Sequence, residues 1–164
     1  MQEETAQTWL EWLEASGAAV AMREWTLLYP SVEIAHIVGF VVLVGGAFLF
    51  DLRLLGWARQ LPVSQLAQHL LRWSRASLVV VVPTGLLMFT TNATKLAVNP
   101  VFQIKLALIA AAGVNAAVFR LWSSRSMTEW DTDARAPLGA KMSALLSIVL
   151  WTGVISCGRL IAYF

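Results

Sequence analysis

Hydrophobic positions fall into four long runs separated by short polar stretches. The first runs from about Ser31 to Leu55 and follows Pro30. The second, from about Leu66 to Thr91, begins with Arg72 and Arg75 and turns apolar from Ala76. The third, from about Pro100 to Trp122, opens on Asn99-Pro100, a side-chain cap followed by proline in the first turn. The fourth runs from about Gly139 to Phe164. A helix needs about 20 apolar residues to cross the hydrocarbon core, and each run is long enough. Strand-type alternation is absent, which argues against a β-barrel. The pattern predicts an all-α integral membrane four-helix bundle, one domain over 1–164, with spans at 31–55, 66–91, 100–122 and 139–164.

The first 30 residues follow a different rhythm. Glu4, Gln7, Glu11 and Glu14 share one helical face, while Ala6, Trp9, Leu10, Leu13 and Val20 share another. That spacing predicts an amphipathic helix lying in the membrane interface. Glu3 and Glu4 stand where a signal peptide would carry positive charge, so no secretory signal is expected. A surface anchor is the plain reading of this helix. A docking surface or a lid is the sharper one.

Composition agrees with the runs. Of 164 residues, 58% are hydrophobic and 13% charged, against about 25% charged in soluble domains. The lone Cys157 excludes a disulfide framework or a cysteine-rich metal site. The formal net charge of +2 matters less than its distribution. Arg53, Arg59, Arg72 and Arg75 flank the first linker, and Arg120, Arg125, Arg135 and Lys141 flank the last one; Asp51, Glu129, Asp131 and Asp133 oppose them. The other side has Arg23 and Lys95 outside the spans. The positive-inside rule predicts cytoplasmic linkers and periplasmic termini in a bacterial inner (cytoplasmic) membrane. Trp9, Trp12, Trp25, Tyr29 and Tyr163 would then mark one interface, and Trp57, Trp73, Trp122 and Trp130 the other.

Candidate chemistry gathers at one depth. At 1.5 Å per residue, His36 lies roughly 7–8 Å inside the outer end of the first span. Lys105, five residues after Pro100, and Arg159, five before the C-terminus, lie at a similar depth, and Met88 falls in the same layer. Ionisable groups inside a membrane are costly and normally face the bundle interior or a functional cavity. Taken singly, Lys105 and Arg159 read as snorkelling anchors, His36 as a hydrogen-bonded packing residue and Met88 as core. Together they predict a site. Imidazole ligates haem iron, copper and zinc, and two cations suit an anionic group such as haem propionates. Gly39, one turn from His36, leaves room for a flat macrocycle or a second helix. His69 lies a bilayer's width away; it reads as an interfacial residue, with a second haem site as the alternative. Asp51 and Arg53 read as an interfacial ion pair, with Asp51 reaching Arg72 or Arg75 as the alternative.

The runs "LYPSVEIAHIVGFVVLVGGAFLFDLRLLG", "RWSRASLVVVVPTGLLMF" and "NPVFQIKLALIAAAGVNAAVFR" resemble an uncharacterised family of small bacterial four-helix membrane proteins. More distantly they resemble the copper-resistance D membrane domain and the haem-containing membrane family that oxidises protoporphyrinogen. The shared features are a His early in one helix before a Gly-Gly region, a Thr-Gly in the next, and a Lys-Leu-Ala-Leu run after that, covering about residues 27 to 122. The match to the uncharacterised family extends through "GRLIAY". The protoporphyrinogen-oxidising resemblance implies that His36 and Lys105 form the functional pair beside haem b. The arginine-rich ending of that family's first helix is here only "DLRLLG", so the resemblance carries haem binding further than substrate oxidation.

The expected function is therefore a haem b-binding membrane protein, an oxidoreductase or electron-transfer subunit working at the periplasmic side. His36 would be the axial ligand, and Met88 or a second His the distal one. The alternatives are a copper-handling membrane protein, which the scarcity of Met and Cys disfavours, and a non-catalytic subunit of a membrane complex. The expected partners are membrane lipid and a membrane or periplasmic redox partner, with an oligomer left open. No nucleic-acid motif, phosphate-binding glycine loop or nucleophile–base pair is present.

Overall fold

A computed structural model describes residues 9–122, 131 and 136–163. Glu3, Glu4, Ala6 and Gln7 of the amphipathic pattern lie outside the described residues. So do Arg125, Glu129, Trp130, Asp133 and Arg135 of the last linker, the side chain of Trp122, and Phe164. The described residues are mostly helical, joined by short turns, with no strand among them.

The amphipathic segment is two pieces rather than one helix. A short helix over 9–14 ends before Ser16, whose hydroxyl oxygen accepts from the Ala19 N–H at 3.3 Å and caps α1, Gly17–Glu24. The cap supplies a partner that the first turn lacks, so helix restarts here instead of continuing. Leu10, Ala19 and Met22 are buried, while Trp9 and Trp12 stay exposed.

Four long helices follow, each long and apolar enough to cross a membrane. α2 spans Leu28–Leu55 and takes in Pro30, expected before the span; in a first turn proline loses no hydrogen bond. It stops at Gly56, whose φ of 112° is a left-handed helix end natural to glycine. α3 spans Val63–Thr90, starting directly after Pro62 and containing Pro83. A short α4, Ala93–Val98, fills the turn to α5, Pro100–Trp122. The Asn99 carboxamide oxygen accepts from the Val101 and Phe102 N–H groups at 2.9 and 3.1 Å, the cap that Asn99-Pro100 predicted. α6, Leu138–Leu160, runs into a final 3-10 turn, Ile161–Tyr163.

The spans pack in the order α3–α2–α6–α5, and α3 and α5 share almost no backbone contact. Side chains bridge where backbones do not. Phe89 of α3 stacks on Phe102 of α5 at 5.5 Å, Phe40 of α2 meets Trp151 of α6 edge-on at 6.1 Å, and Phe50 of α2 meets Phe119 of α5 at 5.6 Å. The close approach of α2 and α3 depends on glycines. A Cβ at Gly46 would sit 2.5 Å from the Ser74 hydroxyl, and one at Gly39 would sit 2.9 Å from Val81 Cγ2. The room left by Gly39 is thus taken by Val80 and Val81, which is helix packing. Ile37, Val41, Val79, Leu106, Val114 and Val149 point outward, an apolar jacket suited to lipid.

The tightest core lies at the end carrying the two long linkers, hereafter the linker side. Phe50, Leu54, Val63, Phe119, Ala136, Ala140 and Ala144 form one buried cluster there. Arg53 is 2% exposed and is not an ion-pair partner of Asp51. Its guanidinium donates to the carbonyls of Leu61 (2.7 Å), Arg59 (2.9 Å) and Asp131 (3.2 Å). Asp131 in turn accepts from the Ser64 N–H at 2.7 Å and the Ser64 hydroxyl at 2.9 Å, capping the first turn of α3. A part-buried network of this kind ties both linkers to one point.

Candidate functional site

The opposite end, the terminal side, holds His36 on α2. Its Nδ1 lies 2.9 Å from the Thr84 hydroxyl oxygen of α3. The local sequence of α3 there is Pro83-Thr84-Gly85, and each residue has a physical role. Pro83 has no N–H to donate within the helix, and the Thr84 hydroxyl donates to the Val80 carbonyl at 2.6 Å. Gly85 leaves room for the ring: a Cβ on it would lie 3.1 Å from His36 Cε1.

The donor count at Thr84 argues for one tautomer of His36. A hydroxyl has one hydrogen, and at 2.6 Å it is committed to the Val80 carbonyl. The oxygen can then only accept from Nδ1–H. The neutral imidazole therefore carries its lone pair on Nε2, the arrangement in which a histidine held by a second residue ligates a metal.

Lys105 on α5 is half-buried and lies within electrostatic reach of both His36 and Cys157 of α6. Its Nζ passes Gly158, where a Cβ would stand 4.0 Å away. Among the described residues no carboxylate pairs with it. His36 of α2 and Lys105 of α5, expected from sequence as a pair, thus lie within electrostatic reach of each other, with Cys157 of α6 near Lys105. Met88 is half-buried on α3, one turn beyond Thr84 on the same face.

The remaining expected residues go elsewhere. Arg159 is exposed; its Nη2 donates to the Tyr163 hydroxyl at 3.1 Å and its guanidinium lies 5.4 Å from that ring's centroid. His69 is exposed on the linker side, with Nδ1 3.0 Å from the Gln65 carbonyl of its own helix. It lines a largely apolar cavity of ≈ 440 Å³ together with Leu49, Trp57, Leu61 and Leu66. Among the described residues no three His, Cys, Asp or Glu side chains converge as metal ligands. In the sequence, Thr84 and Gly85 are visible only as the Thr-Gly of a shared pattern, with no role assigned to them.

The terminal side is closed by a clamp. The Glu14 carboxylate accepts from both the N–H and the hydroxyl of Thr94, each at 2.8 Å, at the start of α4. Arg23 donates to the Glu14 carbonyl at 2.7 Å and to the Thr91 carbonyl at 3.4 Å. The Thr94 backbone N–H, then its hydroxyl, hold the Glu14 carboxyl below its ordinary range. The amphipathic segment is thereby fastened to the turn between α3 and α5.

Fold and site together define a multi-pass α-helical membrane protein with one oriented imidazole and one ammonium near the terminal-side ends of its spans. The chain belongs to the family of unknown function DUF6644, whose profile matches residues 9–164. No curated protein and no solved structure matches it.

Proposed function

We propose that the protein binds haem b within the terminal-side half of its bundle, with His36 as axial ligand through Nε2. The observation that carries this reading is the Thr84 donor count, which orients the imidazole and leaves a lone pair on the ligating nitrogen. The donor set fits the group: a haem iron needs one neutral imidazole from the protein, and an ammonium without a carboxylate partner suits a propionate. Haem b, when bound, supplies one-electron redox chemistry.

The chain's own residues have definite tasks in this reading. Thr84 holds the His36 ring and keeps the proton on Nδ1. Lys105 offers charge for an anionic edge, and its half-burial raises the strength of that attraction. Phe89 and Phe102 cover the gap between α3 and α5, restricting water at this end. Electron exchange with a membrane or periplasmic redox partner follows from this placement, the periplasmic assignment resting on the positive-inside rule.

The test is the visible spectrum of protein purified from cells with ample haem supply. A Soret band that is lost in His36→Ala and weakened in Thr84→Val supports the reading. A colourless protein contradicts it. Stoichiometric copper in that colourless protein, lost with His36, would put the copper-handling alternative in its place.

A further inference from the structure

The linker-side half contains a second polar group that the haem reading does not use. Asp51 of α2 is 6% exposed, four residues inside the end of its helix. It shares the inward face of α2 with Ala47 and Leu54. The Ser147 side chain of α6 lies beside its carboxyl group, and Oδ2 is buried with no partner among the described residues. A buried carboxylate without a cation is among the most costly arrangements in a membrane, and the cost vanishes when the group binds a proton.

Every neighbouring helix was a potential source of a counter-charge. On α2, Arg53 turns to the Leu61, Arg59 and Asp131 carbonyls. On α3, Arg72 and Arg75 are exposed, Arg75 donating to its own Leu71 carbonyl, and His69 is bonded to Gln65. On α5, Arg120 is exposed and engaged elsewhere, and Asn115 is paired with Ser143 in two 3.0 Å hydrogen bonds. On α6, Lys141 lies six residues before Ser147, on a different face. None of these groups bonds Asp51 among the described residues, and no cluster of metal-ligating side chains surrounds it.

We infer that Asp51 is a proton-carrying site: its Oδ2 takes up and releases a proton in the linker-side half of the bundle, with Ser147 holding the other side of the carboxyl group. In uptake, an Oδ2 lone pair forms an O–H bond with a proton delivered by water from the linker side. In release, that bond breaks and the proton returns to water. No electrons change hands.

Infrared difference spectroscopy of the full chain in lipid nanodiscs tests this. Wild type minus Asp51→Asn at neutral pH should show a carboxylic-acid C=O band that shifts on H/D exchange, moves in frequency in Ser147→Ala, and is lost severalfold as the pH is raised toward 10. The band should survive in His36→Ala, so that failure of the haem reading leaves this result intact. A carboxylate band at neutral pH overturns the inference. So does an acid band that appears only when sodium is withdrawn, because Asp51 would then be holding a cation. Should Asp51→Asn fail to fold, the wild-type band's pH titration and its shift in Ser147→Ala decide the matter alone.

Discussion

The two ends of the bundle treat polar groups in opposite ways. On the linker side, Arg53 is buried and its guanidinium is spent on three backbone carbonyls, while Asp131 is spent on Ser64. On the terminal side, His36 is hydrogen-bonded to Thr84 on Nδ1, and Lys105 has no carboxylate partner among the described residues. A saturated polar network fixes geometry. A partly used set of strong groups, held in place by neighbours, is what a ligand needs. Burial alone does not separate the two cases, since Arg53 is more buried than His36. The count of used and unused donors and acceptors does.

Breaking the saturated end should have the largest effect. Arg53→Met leaves three carbonyls and two linkers without their common donor, and should destabilise the protein by about 3–5 kcal/mol. Thermal unfolding in mild detergent measures this, and a change below about 1 kcal/mol would show that the linkers hold without it. Gly46→Ala comes next, because its Cβ would meet the Ser74 hydroxyl at 2.5 Å and the Leu70 carbonyl at 3.0 Å. The expected loss is about 1–3 kcal/mol from overpacking at the α2–α3 contact.

The terminal side should respond in function more than in stability. Thr84→Val removes the acceptor for His36 Nδ1 and should cost about 1 kcal/mol of folding stability but about 10–100-fold in affinity for haem. Equal losses in both would make Thr84 a packing residue. The smallest effect is expected at the clamp. Glu14 has its folded value depressed below an unfolded 4.5, so its contribution is fully present above that value and is lost as pH falls through the depressed one. Protease accessibility of the segment around Trp9 and Trp12 should therefore rise on acidification below about pH 4.5. Glu14→Gln should reproduce part of that rise at neutral pH.

The long helices were readable from the chain because each is an unbroken apolar run, and the Asn99 cap followed from the Asn-Pro pair that opens the third run. Other features depended on contacts that periodicity does not encode. Ser16 restarts a helix inside what reads as one amphipathic pattern. α4 is too short to show a period. Asp51 and Arg53, two residues apart and opposite in charge, look like a pair. They part because they lie on different faces of α2, and Asp131, 78 residues from Arg53, offers its carbonyl. Gly39 beside His36 suggests space for a macrocycle, but the valines of α3 occupy it. Arg159 reaches the right depth, yet Tyr163 lies one turn away on its own face and engages it.

Titration of haem into haem-depleted protein in nanodiscs, followed at the Soret band, tests the role of His36 most directly. Wild type should bind one equivalent at this site, and His36→Ala, folded to the same melting temperature, should lose that saturable binding. Equal binding by both proteins, or none by either, would contradict a haem ligated by His36.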